Sequence, residues 1–240
     1  MSDDGKFIIE VWGDLACFTR PEMKVERFSY PVMTPSAARG ILDAIYCKPV
    51  EFGWRIDGIE ILKPIRYIAL RRNEVKDKIN INAIKAPMAR GGEVTPIIAD
   101  ATRDMVGSDQ QGRTQRQTMA LVDVRYRIHA HMNPRPEFVG NLKVLTQQMQ
   151  RRLAAGKCFY QPYFGCREFA AFFDQADMAN RQPAQPINLD LGLMLYDVFN
   201  LNDVRSDGFA PPQISLFRAN VKNGVLDIPA YESDLVLKPV

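Results

Sequence analysis

A long alternation of apolar and polar residues occupies the middle of the chain, in the segment QTMALVDVRYRIHAHM at residues 117–132. Side chains of a β-strand point alternately to its two faces, so a period of two predicts a strand. The apolar positions are Val122, Val124, Tyr126, Ile128 and Ala130. The polar positions are Asp123, Arg125, Arg127, His129 and His131. The segment therefore predicts a strand with one buried and one polar face.

Four basic or titratable side chains share that polar face: Arg125, Arg127, His129 and His131. Spaced two residues apart, they would form a row able to follow a chain of phosphates on a sheet surface. The alternative is an ordinary solvated sheet face, which alternating strands commonly show. The alternation by itself favours that simpler interpretation.

The segment TPSAARGILDAIYCKP, residues 34–49, predicts a short helix. Thr34 is a favourable N-cap, and Pro35 suits the first helical position, where its missing N–H costs nothing. Pro49 blocks continuation of the helix, so we expect it to run from Pro35 to about Cys47. At about 100° per residue, one apolar face is formed by Ala38, Ile41, Leu42 and Ile45.

A second face of this helix carries Arg39, Asp43 and Tyr46 at a spacing of i, i+4 and i+7. A guanidinium beside a phenol is unusual on a helix that packs against a core. A tyrosine at a helix edge is more often a packing residue with a wet hydroxyl than a catalytic one. Position alone therefore leaves both roles open for Tyr46.

The remaining patterned segments complete a known order. Strands are predicted at residues 7–12 and 157–173, one or two strands at 54–72, and a second helix at about 136–155. With the segments above, the order is strand, helix, strand, strand, helix, strand. This order predicts an α+β protein of the ferredoxin-like or RNA-recognition-like type, β-α-β-β-α-β.

Two regions fall outside that unit. Residues 73–117 are polar and lack sustained periodicity, which predicts a long insertion inside a first domain at residues 1–173. Residues 174–240 contain apolar stretches and a probable hairpin turn at Asn223–Gly224. They predict a smaller β-rich C-terminal region.

Composition excludes several classes of protein. The four cysteines are scattered without a C-x-x-C pair, and the chain has only two histidines, so a structural zinc site is not expected. No apolar run approaches the roughly 20 residues that cross a bilayer, and no signal-peptide pattern is present. We expect a soluble, cytoplasmic protein without membrane contact. A net charge of +3 says little about nucleic acid.

The segment GRTQRQ, residues 112–117, is a further candidate phosphate contact. Arg113 and Arg116 are three residues apart beside a glycine, and the paired donors of arginine suit a phosphodiester. Without further context, the interpretation as an exposed polar loop is favoured.

Three ordered blocks together resemble one family: residues 11–46 (VWGDLACFTRPEMKVERFSYPVMTPSAARGILDAIY), 114–131 (TQRQTMALVDVRYRIHAH) and 160–169 (YQPYFGCREF). It is the CRISPR-associated Cas-five family in its subtype I-C (Dvulg) form, and the resemblance extends from residue 7 to about 170. The resemblance implies an RNA-recognition-like N-terminal domain and a smaller β-rich C-terminal domain. It also implies cleavage of precursor CRISPR RNA without metal, by attack of a 2′-hydroxyl on the neighbouring phosphate.

The family's site combines a tyrosine that ends the first helix with a lysine–histidine doublet just before the central strand. The tyrosine corresponds to Tyr46, whereas the doublet reads Arg116–Gln117 here. A neutral imidazole accepts a proton at pH 7, and a glutamine cannot. Two replacements for the missing histidine stay open. Arg39 and Arg116 could stabilise a phenolate at Tyr46, or His129 could act as the catalytic imidazole from the sheet. We favour the first.

The predicted function is a metal-independent endoribonuclease without cofactor, which then stays on the 5′ handle in the type I-C interference complex. The predicted catalytic residues are Tyr46, Arg116 and Gln117. The predicted RNA contacts are Arg39, Arg113, Arg125, Arg127 and His129. The alternatives are a handle-binding scaffold that does not cut, and a ferredoxin-like enzyme acting on a small molecule.

The expected partners are CRISPR repeat RNA and the other subunits of that complex. Double-stranded DNA is a further hypothesis, carried by a basic segment at residues 71–90. Its positive side chains are Arg71, Arg72, Lys76, Lys78, Lys85 and Arg90. Glu74 and Asp77 dilute that charge.

Overall fold

The structure is a computed structural model that describes residues 5–23, 25–94, 96–107, 111–203 and 212–239. The chain forms two compact units, Met1–Ile68 with Met119–Val240, and Ala69–Thr118. Within the described ranges, no helix is both long enough and apolar enough to cross a membrane.

The strands are β1 (Lys6–Ala16), β2 (Arg27–Phe28), β3 (Phe52–Ile61), β4 (Tyr67–Val75), β5 (Arg113–Pro134), β6 (Phe172–Gln175), β7 (Leu189–Phe199), β8 (Pro212–Lys222), β9 (Val225–Asp227) and β10 (Val236–Leu237). The α-helices are α1 (Pro35–Ile45), α2 (Ile81–Arg90), α3 (Arg103–Val106) and α4 (Leu142–Ala154). A short 3₁₀ helix, Pro136–Asn141, precedes α4.

The first unit is built on four strands that are hydrogen-bonded in the order β3, β5, β1, β6, with every neighbouring pair antiparallel. Helix α1 lies between β1 and β3 in sequence, and α4 lies between β5 and β6. This order is that of the β-α-β-β-α-β unit, so the predicted α+β class with a ferredoxin-like core is confirmed. On its far side β3 pairs with β9, and β8, flanked by β7 and β10, extends the sheet.

The apolar face of the sheet forms as the alternation predicts. Ile128 of β5 lies directly opposite Ile9 of β1, and both are buried. Trp54 of β3 lies opposite Met132 on the same face and is also buried. Since directly opposite residues of antiparallel strands share a face, these pairs form one continuous core surface.

Helix α1 begins where the sequence predicts. The Thr34 hydroxyl accepts the N–H of Ala37 at 3.2 Å, which satisfies one of the free donors of the first turn. The predicted apolar face is confirmed, because all four of its residues are at most 1% exposed: Ala38, Ile41, Leu42 and Ile45.

The helix ends two residues earlier than predicted, at Ile45. Tyr46 is its C-cap, with φ −151° and ψ 112°, and its N–H donates to the Leu42 carbonyl at 2.8 Å. The Tyr46 carbonyl accepts the indole N–H of Trp54 at 2.8 Å, a contact that favours the extended backbone here. The prediction that Tyr46 shares a helical face with Arg39 and Asp43 is therefore wrong.

The hairpin turn at Asn223–Gly224 is confirmed. Lys222 pairs with Val225, and the two central residues have φ angles of 49° and 76°. Positive φ at both positions is the geometry of a type I′ turn, which Asn-Gly suits. A β-carbon on Gly224 would lie 2.1 Å from the Gln185 carbonyl oxygen, so this position has room only for glycine.

The second unit, Ala69–Thr118, spans the whole of the predicted insertion at 73–117. It holds α2 and α3, and β4 pairs with β5. The Asn80 side chain caps α2 by accepting the N–H groups of Asn82 and Ala83. No described residue of α2 is buried, which explains why the sequence shows no apolar periodicity there. The domain boundary predicted at residues 173/174 stays a prediction.

Candidate functional site

Tyr46 lies in a compact aromatic and basic environment at the end of α1. Its ring packs on Phe52 with 5.4 Å between centroids, and the residue is 2% exposed. The guanidinium carbon of Arg152, in the last turn of α4, lies 5.4 Å from the centroid of the same ring. The ends of the two helices thus place a phenol and a guanidinium together.

Arg152 is held by contacts that leave its charge without an anionic partner. Its guanidinium lies 4.1 Å from the centroid of Phe159, and Nη1 donates to the Ile45 carbonyl at 3.2 Å. The backbone N–H of Phe159 donates to the Ala44 carbonyl at 2.8 Å, which fixes the aromatic ring beside the helix end. Among the described residues no carboxylate pairs with Arg152, and its buried Nε has no hydrogen-bond acceptor. A bound phosphate would supply the missing charge.

The phenol of Tyr46 is neutral at pH 7. Burial raises the pKa of Tyr46, and the positive charges of Lys48, Arg152 and Arg151 oppose that rise without cancelling it. The charge of Glu51, which accepts a hydrogen bond from Lys48, also raises the pKa. The Tyr46 hydroxyl is therefore a proton and hydrogen-bond donor rather than a base.

Arg39 is not part of this group. It donates to Asp197 of β7 at 2.7 and 3.0 Å and also binds Asp43 one turn further along α1. Burial would lower the pKa of Arg39, but the two carboxylates outweigh it and raise the pKa. With both sides of its guanidinium occupied, Arg39 ties α1 to β7. The predicted stabilisation of a Tyr46 phenolate by Arg39, and its predicted RNA contact, are not supported by this arrangement.

The predicted row of basic residues on β5 is an internal ion network. Arg127 is 0% exposed and binds Glu10 of β1 at 2.7 Å, Glu60 of β3, and the carbonyl of Gln182 at 3.1 Å. The segment that contains Gln182 therefore covers this part of the sheet. Arg127 therefore lies neither on a solvated face nor on an open track for RNA phosphates, and its predicted RNA contact is not supported. The sequence could not show this, because it does not reveal which segment crosses the face.

The neighbours of Arg127 in the row share the same acids. Arg125 donates to Glu10 at 2.6 and 3.0 Å and lies 5.1 Å from the Trp12 ring centroid, with 35% of its side chain exposed. His129 lies 2.7 Å from Glu60. Arg125 thus keeps an exposed edge, and His129 is engaged by a carboxylate.

His129 also lies on the wrong face to act at Tyr46. It is adjacent in β5 to Ile128 and so points to the opposite side of the sheet. Tyr46 contacts Phe52 and Trp54, and Trp54 belongs to the core face with Ile128. The sheet therefore separates the imidazole from the phenol, and the alternative that assigns catalysis to His129 is not supported by this arrangement.

Arg113, Arg116 and Gln117 belong to the second unit, at the start of β5. Arg113 and Gln117 are exposed, and Arg116 is half-buried. Arg113 lines a cleft with Asn73, Thr114 and Gln115. Their predicted cooperation with Tyr46 stays a prediction.

Within the described residues, no group of three or more histidine, cysteine or acidic side chains could hold a metal ion. The residues that the sequence analysis missed are Lys48, Arg152 and Phe159. A signal existed in the pair of arginines at the end of α4, followed by the aromatic pair Phe159–Tyr160. Only the fold shows that these groups meet Tyr46.

Comparison with known proteins identifies the family. Residues 7–229 match the family described as CRISPR-associated protein (Cas_Cas5). The chain is 41% identical over 235 residues to the CRISPR pre-crRNA endoribonuclease Cas5d of Mannheimia succiniciproducens, covering 95% of this chain and 96% of that protein. It is 37% identical over 235 residues to the Cas5d of Thermus thermophilus, which has the same description, covering 92% and 90%.

Two solved structures share the fold. A crystal structure of a CRISPR-associated protein aligns with a TM-score of 0.60 at 21% identity, covering 96% of this chain and 95% of that one. A functionally uncharacterized protein from Streptococcus mutans aligns with a TM-score of 0.60 at 20% identity, covering 96% of each. The family match spans most of the chain, and each of the two relatives is identical to it at more than a third of the aligned residues. The chain therefore belongs to the Cas5d family of CRISPR-associated proteins.

Proposed function

We propose that this protein is a metal-independent endoribonuclease that cleaves precursor CRISPR RNA within the repeat. It then stays on the 5′ handle as a subunit of the type I-C interference complex. The two relatives named as pre-crRNA endoribonucleases support the substrate class, since each aligns over at least 90% of both chains. The observation that carries the proposal here is the neutral phenol of Tyr46 beside the uncompensated guanidinium of Arg152.

The proposed reaction needs no group beyond the RNA and the protein. The 2′-oxygen attacks the adjacent phosphorus and loses its proton to water, while the bond from phosphorus to the 5′-oxygen breaks. Tyr46 donates its proton to the departing 5′-oxygen and regains one from water. The products are a 2′,3′-cyclic phosphate and a 5′-hydroxyl. A positioned proton donor contributes about 10²- to 10⁴-fold to such a step.

Positive charge stabilises the transition state in this proposal. Arg152 would bind the reacting phosphate. Arg116 as an electrostatic stabiliser and Gln117 as a group that only positions others stay predicted catalytic residues. Because Arg152 covers a ring that is 2% exposed, we expect the guanidinium to move toward the phosphate when RNA binds. That movement would uncover the hydroxyl.

Further exposed groups would contribute RNA contacts. Phe159 and Tyr160 are 55% and 54% exposed, and exposed aromatic rings are platforms on which unpaired bases stack. Arg113 and the exposed edge of Arg125 would contact backbone phosphates. Arg39 and Arg127 have no such role here, because carboxylates occupy their donors.

A single experiment separates the enzyme from the handle-binding scaffold. Purified protein is incubated in EDTA with the repeat RNA of its own genome, and the products are separated on a denaturing gel. We expect one cut within the repeat, lost in Tyr46→Phe and retained in Tyr67→Phe. The control removes a hydroxyl that donates to the Ser29 carbonyl and that lies outside the proposed site. Intact RNA with every variant would identify the scaffold instead.

Double-stranded DNA is a second proposed partner, through the second unit. Four of the basic residues in the segment at 71–90 are exposed: Arg71, Lys78, Lys85 and Arg90. Exposed positive charge supports contact with DNA phosphates. Reversal of these four charges should abolish retention of a DNA duplex in a gel shift, and unchanged retention would refute the proposal.

A further inference from the structure

Two arginine side chains converge on the open face of Gly53. Arg55 lies on β3, and Arg135 follows the last residue of β5. The position that a β-carbon would take on Gly53 lies 3.5 Å from Arg135 Nη2 and 3.6 Å from Arg55 Nη1. The distance between the two nitrogens is therefore at most the sum of these two distances. One phosphate group can bridge a gap of that size.

The two converging nitrogens have no hydrogen-bond partner among the described residues. Arg55 uses its other terminal nitrogen, Nη2, to donate to Asn202 Oδ1 at 2.8 Å and to the Leu201 carbonyl at 3.2 Å. Arg135 makes only long contacts, from Nε to the Pro49 carbonyl at 3.4 Å and from Nη1 to the Leu201 carbonyl at 3.5 Å. The donors that face Gly53 are therefore available to a ligand.

The charges of this pair are poorly compensated. Arg55 is 6% exposed, and among the described residues its one carboxylate contact is Glu232, 3.4 Å away and itself 58% exposed. No carboxylate pairs with Arg135 in the described part of the chain. Burial lowers the pKa of Arg135, and the like charge of Arg55 lowers it further. A buried cation beside a half-buried one is costly unless an anion binds between them.

The position of the pair relates it to Tyr46. The N–H of Arg135 donates to the Glu51 carbonyl at 2.8 Å, and its side chain reaches the Pro49 carbonyl. Phe52, which follows Glu51 and is the first residue of β3, packs on the Tyr46 ring. Residues 48–51 thus connect the two groups along the chain, but Arg55 lies directly opposite His131 and therefore on the other face of the sheet from Tyr46.

We propose that Arg55 and Arg135 form a phosphate-binding site at Gly53 that holds a backbone phosphodiester of the RNA. This inference rests on the proposed function for the identity of the ligand, and on the geometry alone for the anion site. The glycine has a role in it: a side chain at this position would occupy the space of the phosphate. Gly53 does not have a positive φ, so a larger residue fits the backbone.

The anion site is tested with inorganic phosphate and the variant Gly53→Asp. Phosphate, at ionic strength matched with chloride, should raise the melting temperature of the wild type. In Gly53→Asp the new carboxylate takes the place of the anion, so the melting temperature in chloride should rise by about 2–4 °C and the response to phosphate should vanish. Gly140→Asp is the matched control, because a β-carbon there meets nothing within 4 Å. Equal responses to phosphate in all three proteins would overturn the site.

The RNA assignment is tested separately, with a synthetic RNA that carries the repeat. Gly53→Asp and Arg135→Gln should each weaken binding by about 10- to 100-fold, as expected for loss of charge-assisted hydrogen bonds. The slope of log K against log salt should fall by about 0.7, the value for one phosphate on a single strand. A phosphate response without any change in RNA affinity would overturn the assignment to RNA. Neither measurement uses cleavage, so an inactive wild type would refute only the nuclease.

Discussion

The guanidinium carbon of Arg152 lies 5.4 Å from the centroid of the Tyr46 ring, where the last turn of α4 meets the end of α1. Phe159 holds the other side of the guanidinium at 4.1 Å. A cation against an aromatic face is stabilised by the ring's quadrupole, and here that contact also covers the phenol. The pair brings a phosphate-binding group and a neutral proton donor to one point.

Replacement of Arg152 by methionine should slow RNA cleavage without unfolding the protein. Methionine keeps the aliphatic part of the side chain and removes the guanidinium, so the cost in stability should be about 0.5–2 kcal/mol from the lost contacts with the rings. Single-turnover cleavage of repeat RNA should slow by at least about tenfold, which corresponds to about 1.4 kcal/mol. Arg151→Met is the control, because Arg151 is exposed and bonds to Gln148. Equal slowing in both variants would remove Arg152 from the site.

Substitution of Gln117 by histidine should accelerate cleavage. The resemblance places the family's histidine at this position, and a neutral imidazole with a pKa near ~6.5 can accept the 2′-hydroxyl proton at pH 7. We expect an increase of about 10²-fold, the lower end of general acid–base assistance. The rate of Gln117→His should also fall below about pH 6, as the imidazole becomes protonated. A rate unchanged from that of the wild type would show that position 117 does not reach the scissile phosphate.

Removal of the Arg127 guanidinium should destabilise the fold rather than weaken RNA binding. Arg127→Met leaves Glu10 and Glu60 facing each other without their buried cation, a change that typically costs about 3–5 kcal/mol. Urea unfolding measures this loss. Arg125→Met should cost less, because 35% of the Arg125 side chain is exposed. Below the melting temperature, the RNA affinity of folded Arg127→Met should equal that of the wild type. A selective loss of RNA affinity would contradict the assignment of Arg127 to the internal ion network.

The same network predicts a loss of stability in acid. Burial alone would raise the pKa of Glu60, but its contacts with His129, Arg127 and Arg181 outweigh burial and hold the pKa below 4.5. Burial alone would likewise raise the pKa of Glu10, but its contacts with Arg125 and Arg127 outweigh burial and lower that pKa. The unfolded chain therefore binds more protons than the folded protein below about pH 4.5, and stability falls as the pH drops through the folded-state pKa values.

Urea unfolding between pH 3 and pH 7 measures this dependence. The free energy of unfolding of the wild type should be nearly constant above about pH 5.5 and should decline below it. Glu60→Gln should be less stable at pH 7, because Arg127 loses a partner, but its decline in acid should be shallower. An identical decline in both proteins would show that Glu60 is not the group that titrates.

Much of the fold follows from local patterns that are visible in the sequence. Thr34 and Pro35 set the start of α1, because capping and the fixed φ of proline act within one turn. Asn223–Gly224 set a hairpin turn because they tolerate positive φ. The period-two alternation of β5 identified the core face at Tyr126 and Ile128. The resemblance to the Cas-five family, confirmed over residues 7–229, also came from sequence alone.

The sequence by itself therefore determined the order of elements, the caps and turns, the core face and the family. The tertiary structure decided which side chains meet: it brought Arg152 to Tyr46, turned Arg127 inward under the segment at Gln182, and gathered Arg55 and Arg135 at Gly53. Local preferences act over a few residues, whereas Ile45 and the Arg152 that binds its carbonyl are 107 positions apart. Contacts at such separations depend on how the helices and loops pack on the sheet, and no periodicity along the chain records that packing.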